Sequence, residues 1–160
     1  DKYKTLCRKY YVSPKETFTH GNITLENLLF FPENNKFIFI DPYEENIIDS
    51  KLAEFSQLLQ SSNGKYEVYN RHNDYLLNGN EVAMEINESY GLNYLNNKLI
   101  KYLKDEFSEN DYYIIRLLEI SQFIRMLPFK MEVDENKMIF FYSLASKLFC
   151  DLLHEINSDI

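Results

Sequence analysis

The sequence predicts an α+β fold that is mainly α, and three observations predict it. Two apolar runs, Leu28 to Phe31 and Phe37 to Ile40, flank the turn-rich Pro32-Glu33-Asn34-Asn35-Lys36. Short apolar runs joined by such a turn read as a β-hairpin. Asn78-Gly79 lies between Tyr75-Leu76-Leu77 and the segment Glu81 to Ile86, the signal for a second hairpin. From Leu92 onward, large apolar residues recur every three or four positions, the spacing of helices that bury one face.

The first element is a short helix in Tyr3 to Val12, with Leu6, Tyr10 and Tyr11 at near-helical spacing. It is expected to pack under the loop that follows, and Ser13-Pro14 ends it. The polar stretch Thr19 to Asn27 then leads into the first hairpin. After Asp41 comes the acidic, irregular Tyr43-Glu44-Glu45-Asn46. Asp49 to Gln60 reads as an amphipathic helix with Leu52, Phe55, Leu58 and Leu59 on one face. Asp49 or Ser50 is its N-cap. Asn63-Gly64 is a turn, and the alternation around Tyr66 and Val68 predicts strand. The second hairpin either scaffolds the fold or shapes a substrate pocket.

Leu92, Leu95, Leu99 and Leu103 mark one helix. Ser108-Glu109-Asn110-Asp111 starts another, which carries Tyr112, Ile115, Leu118, Ile120 and Phe123 and ends near Met126-Leu127-Pro128. Asp134 or Glu135 begins the last, with Ile139, Phe140, Tyr142, Leu144, Leu148, Leu152 and Leu153 as core.

Length and composition narrow the function. A chain of 160 residues suits a single domain, 1–160. Hydrophobic content of 45% supports a core. Net charge of −8 argues against broad nucleic-acid or anionic-membrane binding, which needs basic surface. It leaves nucleotide binding open, because a local pocket and a cation offset phosphate charge. Cys7 and Cys150 lie far apart without zinc-ligand spacing and read as reduced, buried thiols. No signal peptide or membrane-length apolar run is visible, so the expected compartment is the cytoplasm.

The chemistry-bearing stretch is His20-Gly21-Asn22, four residues, then Asn27, the first strand, the second strand, and Ile40-Asp41-Pro42. The hairpin holds Asn27 and Asp41 near each other at one end. A side-chain amide oxygen and a carboxylate facing one site suit a hard cation such as Mg²⁺. The layout follows that of a kinase catalytic loop and its later metal-binding Asp. It resembles the H-G-D-x-x-x-x-N form of the aminoglycoside phosphotransferase and choline kinase group of small-molecule kinases, most strongly over Thr19 to Gln60. Arg125-Met126-Leu127-Pro128-Phe129 is similar to a helix-breaking segment of sugar-kinase-like relatives.

The resemblance implies the C-terminal lobe of a protein-kinase-like fold, with short β-hairpins at the active-site loop plus a helical bundle. It implies ATP and Mg²⁺ as cofactors, with Asn27 and Asp41 as metal and cofactor ligands. His20 orients the loop and Gly21 permits its tight turn. Asp49 corresponds to an Asp that buttresses the loop, a plain N-cap being the other reading. The acceptor is a small hydroxylated molecule: a sugar, an aminoglycoside-like compound or a choline-like alcohol fits, with a slight preference for a sugar hydroxyl. The acidic face of Asp41, Glu44, Glu45 and Asp49 suits a cationic acceptor or is simply solvated.

Asn22 departs from the family, standing where the catalytic Asp is expected. An amide takes no proton at neutral pH, and loss of a general base typically costs about 10²–10⁴ in rate. No Gly-rich loop or strand Lys precedes residue 20. An N-terminal, ATP-covering lobe is therefore expected upstream in a longer protein, as this domain's partner. The alternative reading is a non-catalytic, pseudokinase-like binding module. A third is an unrelated α+β domain whose loop matches by chance.

Overall fold

The computed structural model describes residues 2–10, 15–44, 48–85 and 89–158, with the backbone alone for Ser158. Helix α1 (Lys2–Tyr10) opens the chain. It packs on a later helix rather than under the loop. The Tyr3 hydroxyl donates to the Leu117 carbonyl (3.0 Å), and the Tyr10 and Tyr113 rings sit 5.3 Å apart. The expected Ser13-Pro14 stop, with Tyr11 and Val12, lies outside the described residues.

A single turn of 3-10 helix, Leu25–Asn27, leads into β1 (Leu28–Phe31), which pairs antiparallel with β2 (Lys36–Phe39). Leu28 faces Phe39 and Phe31 faces Lys36, as the apolar spacing requires. Asn35 takes a left-handed φ of 52° in the connecting turn, a conformation Asn tolerates better than most residues.

Helix α2 (Lys51–Ser62) is capped by Ser50, whose hydroxyl accepts from the Ala53 N–H. Its apolar side carries the fully buried Leu59. Helix α3 (Tyr66–Tyr69) replaces the strand predicted around Tyr66 and Val68. Tertiary packing overrides the local alternation there: Tyr66 lies against Phe141 and Tyr69 against Phe140, both on the last helix. The second hairpin forms as expected, β3 (Tyr75–Asn78) against β4 (Glu81–Met84); Ile86 lies outside the described residues.

Helices α4 (Tyr90–Glu106), α5 (Glu109–Val133) and α6 (Glu135–Ser158) complete the chain. Ser89 and Ser108 cap α4 and α5 through hydroxyls that accept from Leu92 N–H and Asp111 N–H. Pro128 does not end α5, which runs five residues past it to Val133. A helical proline removes its own N–H bond and usually kinks or ends a helix. Here the turns around it are anchored: Met126 and Leu127 pack on the core, and Lys130 donates to Asn70 (2.7 Å).

The core lies between α2, α5 and α6 and is joined by Tyr69 of α3 and Leu103 of α4. Ile115, Phe123, Phe140, Phe141 and Leu152 are essentially inaccessible, each adding about 1.5–3 kcal/mol by burial. Phe141 is core, whereas Tyr142, expected inside, faces solvent. Cys150 is exposed rather than buried, and both Cys7 and Cys150 are free thiols. The architecture is α+β and mainly helical, with two separate two-stranded sheets at its periphery. Among the described residues no helix is long and apolar enough to cross a membrane.

Candidate functional site

The loop from His20 to Asn27 lies along one polar side of α2. Three α2 side chains, Glu54, Gln57 and Ser61, follow one another at intervals of three and four residues, so they share a face. The two Glu54 carboxylate oxygens accept from the backbone N–H groups of His20 (3.1 Å) and Gly21 (2.8 Å). The Gln57 amide accepts from Ile23 N–H (2.8 Å) and donates to the Gly21 carbonyl (2.7 Å). The Ser61 hydroxyl accepts from Leu25 N–H (3.0 Å). A loop without a regular ladder needs partners for its backbone groups, and α2 supplies them. Gly21 takes φ 79°, so a Cβ there meets the steric cost of the left-handed region.

Inside the loop, Asn27 is buried. Its Nδ2 donates to the Asn22 carbonyl (2.8 Å). That bond assigns the nitrogen end of the amide and directs Oδ1 away from the carbonyl. The Asn22 N–H donates to His20 Nδ1 (3.4 Å). A ring nitrogen that accepts carries no proton, which places the neutral imidazole's hydrogen on Nε2. Nε2 is buried without a partner, and the ring stands 5.9 Å from that of Phe39. His20 thus works inside the loop and braces the Asn22 backbone.

Asp41 is reached by one rung beyond the hairpin: Ile40 N–H donates to the Asn27 carbonyl (3.0 Å). Two residues past Asp41, Tyr43 N–H donates to the His20 carbonyl (2.9 Å). Asp41 is therefore held between tethers to the two ends of the loop. Its φ of 58° is left-handed. Such conformations cost on the order of 1–3 kcal/mol in non-Gly residues and concentrate at functional sites; Asp is one of the residues that accept them.

Hydrogen bonds join His20, Asn22 and Asn27 within the loop, and Asp41 is tied to the loop through the backbone of its neighbours Ile40 and Tyr43. Asp49 does not cap α2. Its carboxylate accepts from the Thr19 hydroxyl (2.7 Å) and its carbonyl from Thr17 N–H (3.0 Å), which tethers the strand of chain entering the loop. The loop proper is held by Glu54, Gln57 and Ser61, which the sequence reading passed over. Their signal was present as polar residues at helical spacing on the face opposite Leu52 and Leu59. Asp41, Glu44 and Asp49 are exposed; Glu45 and Asn46 lie outside the described residues.

The donor set suits a hard divalent cation. Asn27 Oδ1 and the Asp41 carboxylate are oxygen donors, and Mg²⁺ commonly takes one or two protein oxygens with the rest from water and phosphate. Among the described residues no group of three or more His, Cys, Asp or Glu side chains could hold a metal. The second hairpin borders a cavity of about 330 Å³ lined by Asp74, Tyr75, Leu76, Ala83, Met84 and Glu85. No family model, curated protein or solved structure matches this chain.

Proposed function

We propose that this domain is phosphotransferase-like, of the aminoglycoside phosphotransferase and choline kinase type. It transfers the γ-phosphate of ATP to a hydroxyl of a small molecule, a sugar being the favoured class, with Asn22 in the position of the catalytic Asp. One observation carries the reading. Ile40 N–H donates to the Asn27 carbonyl, Asn27 is buried, and the residue after Ile40 is Asp41 with its left-handed φ; this linkage supports the reading.

On this reading Asn27 and Asp41 hold Mg²⁺, which supplies charge neutralisation for the phosphates when bound. His20 and Asn27 fix the backbone on either side of Asn22. Glu54 and Gln57 hold the loop rigid, so the acceptor hydroxyl meets a preset geometry. Asn22 orients that hydroxyl by hydrogen bonding but takes no proton. A lobe covering the nucleotide is the implied partner.

The second reading is a non-catalytic, pseudokinase-like binding module, and Asn22 is the observation that favours it. One experiment addresses both. Mg²⁺-dependent ATP binding is measured by calorimetry for the longest version of the protein, with the upstream region restored, and for its Asn22→Asp variant, and phosphate release is followed in parallel. The phosphotransferase reading expects both to bind and the variant to turn over about 10²–10⁴ times faster. Binding with no gain in the variant favours the binding module. Absence of Mg²⁺-dependent binding in both removes nucleotide from the account.

A further inference from the structure

We propose that the cavity at the C-terminal end of α2 is a second binding site, which takes a small organic oxyanion, a carboxylate or a phosphate ester. The cavity measures about 150 Å³. A single water needs about 10–15 Å³ of such space, so this one admits a small molecule. Four helices enclose it. Ser62 and Asn63 come from the end of α2, Lys65 from the turn into α3, Asn96 from α4, and Lys147 and Asp151 from α6.

Three features select an oxyanion. First, hydrogen bonds within the wall occupy its amide oxygens. The Ser62 hydroxyl donates to Asn96 Oδ1 (3.4 Å), Asn96 Nδ2 donates to Asn63 Oδ1 (3.2 Å), and Asn63 Nδ2 donates to Glu119 Oε1 (2.8 Å). An amide nitrogen carries two hydrogens, so each Asn keeps a second N–H beyond these bonds while its oxygen already accepts. The wall is thus richer in donors than in acceptors. Arg116 holds the buried Glu119 at the end of this chain of bonds (3.0 Å), which sets the donors in place before a ligand arrives.

Second, the described lining bears two ammonium groups, Lys65 and Lys147, against the one carboxylate of Asp151. That excess stands out in a chain of net charge −8. Lys147 and Asp151 pair at the half-exposed rim (2.7 Å). Lys65 lies deeper, at 8% exposure, where lysine is rarely found. It also holds a left-handed φ of 50°, and such conformations concentrate at functional sites. Third, Tyr69, Leu144 and Leu148 form an apolar wall for a carbon skeleton, the usual pairing of apolar lining with a few placed polar groups.

The site stands apart from the loop. Asn63 lies about 13 Å along the helix axis from Glu54, and the proposal does not depend on the phosphotransferase reading. Its test is a nuclear magnetic resonance titration of the isotope-labelled chain at constant ionic strength, with inorganic phosphate, propionate and glucose as probes. Phosphate or propionate is expected to shift the Asn63 and Asn96 side-chain amides and the Lys65 backbone amide saturably, in the millimolar range. The tighter of the two anions identifies the source, phosphate ester or carboxylate. Lys65→Met and Asn96→Leu each remove a hydrogen bond to a charged ligand and are expected to weaken binding at least about tenfold. Lys147→Met, at the rim, leaves the core intact and is expected to weaken binding at least about threefold, so the test does not rest on the buried variants folding. Lys101→Met removes the same charge from an exposed position of α4 outside the cavity and is expected to leave binding unaltered.

Five results overturn the proposal: no saturable shift with either anion, glucose binding as tightly as the anions, shifts centred on residues 20–27 instead of Asn63 and Asn96, equal binding by Lys147→Met and wild type, or equal weakening by Lys101→Met and Lys147→Met.

Discussion

Glu54 shows how much of the candidate site rests on single side chains. One carboxylate accepts two backbone N–H groups, from His20 and Gly21, and both lose their partner if it is removed. Leaving a polar group unsatisfied costs about 1–3 kcal/mol, and water reaches this half-buried position in part. Glu54→Ala is therefore expected to destabilise the fold by about 1–3 kcal/mol, read as a lower urea midpoint. A change within about 0.5 kcal/mol, the range of ordinary surface substitutions, contradicts this account of the loop. At Asn22, by contrast, the backbone does the holding, through its carbonyl to Asn27 Nδ2 and its N–H to His20 Nδ1. The side chain is free to be exchanged for Asp without dismantling the loop, which is why Asn22→Asp is an informative variant.

At the scale of elements, the join between α2 and α3 is the tightest point. The Gly64 N–H donates to the Leu59 carbonyl (3.0 Å) where α2 ends. A Cβ on Gly64 stands within 3 Å of the Phe123 ring and of the Gln60 carbonyl oxygen. The ring belongs to the core and the carbonyl to the helix, so neither yields cheaply. Gly64→Ala is expected to cost about 1–3 kcal/mol by overpacking, seen as a fall in melting temperature. An unchanged melting temperature means that the α2–α5 contact relaxes more easily than the packing implies. The elements also divide by how they are specified. The first hairpin, the second hairpin and the starts of α2, α5 and α6 were legible because turn and capping residues act locally: Pro32 to Asn35, Asn78-Gly79, Ser50, Ser108 and Asp134. Asp134 accepts from Asn136 N–H at the start of α6 (2.9 Å). The α3 segment and the continuation of α5 through Pro128 were not legible. The first depends on Phe140 and Phe141 of α6 and the second on Asn70 and the core, partners distant in sequence or beyond local pattern.

At the scale of the molecule, one polar network ties four helices around the core. Asn63 at the end of α2 donates to Glu119 (2.8 Å), which pairs with Arg116 on the same helix α5 (3.0 Å). Arg116 reaches Glu155 on α6 (3.0 Å), and Glu155 also meets Lys104 of α4 (2.6 Å) and the Tyr112 hydroxyl (2.9 Å). Burial holds the Glu119 carboxyl above the usual carboxylate value, while Arg116 and Asn63 pull it back. An acid raised by folding binds its proton more tightly in the folded state. Its contribution is therefore largest below the unfolded value, near about 4.3, and fades as the pH rises towards the folded one. Glu119→Gln is expected to abolish that fade. The stability gap between wild type and variant should then shift against the wild type as the pH climbs from about 4. A gap that instead shifts in favour of the wild type as the pH climbs places the pairing with Arg116, rather than burial, in control.

By itself the sequence determined the α+β, mainly helical class and the two hairpins, the first of which bonds Asn27 to Ile40. Each follows from spacing and turn chemistry among residues within about a strand or a helix turn of one another, and hairpin register then carries Asn27 to Ile40 without outside help. Only the tertiary structure decided that Glu54, Gln57 and Ser61 hold the loop, that Tyr66–Tyr69 is helical, and that β2 stands bare. Those outcomes depend on which distant surface arrives to satisfy a backbone group or cover a side chain. No local pattern encodes that arrival, because the same polar face of α2 or apolar strand of FIFI reads identically whether or not a partner is there.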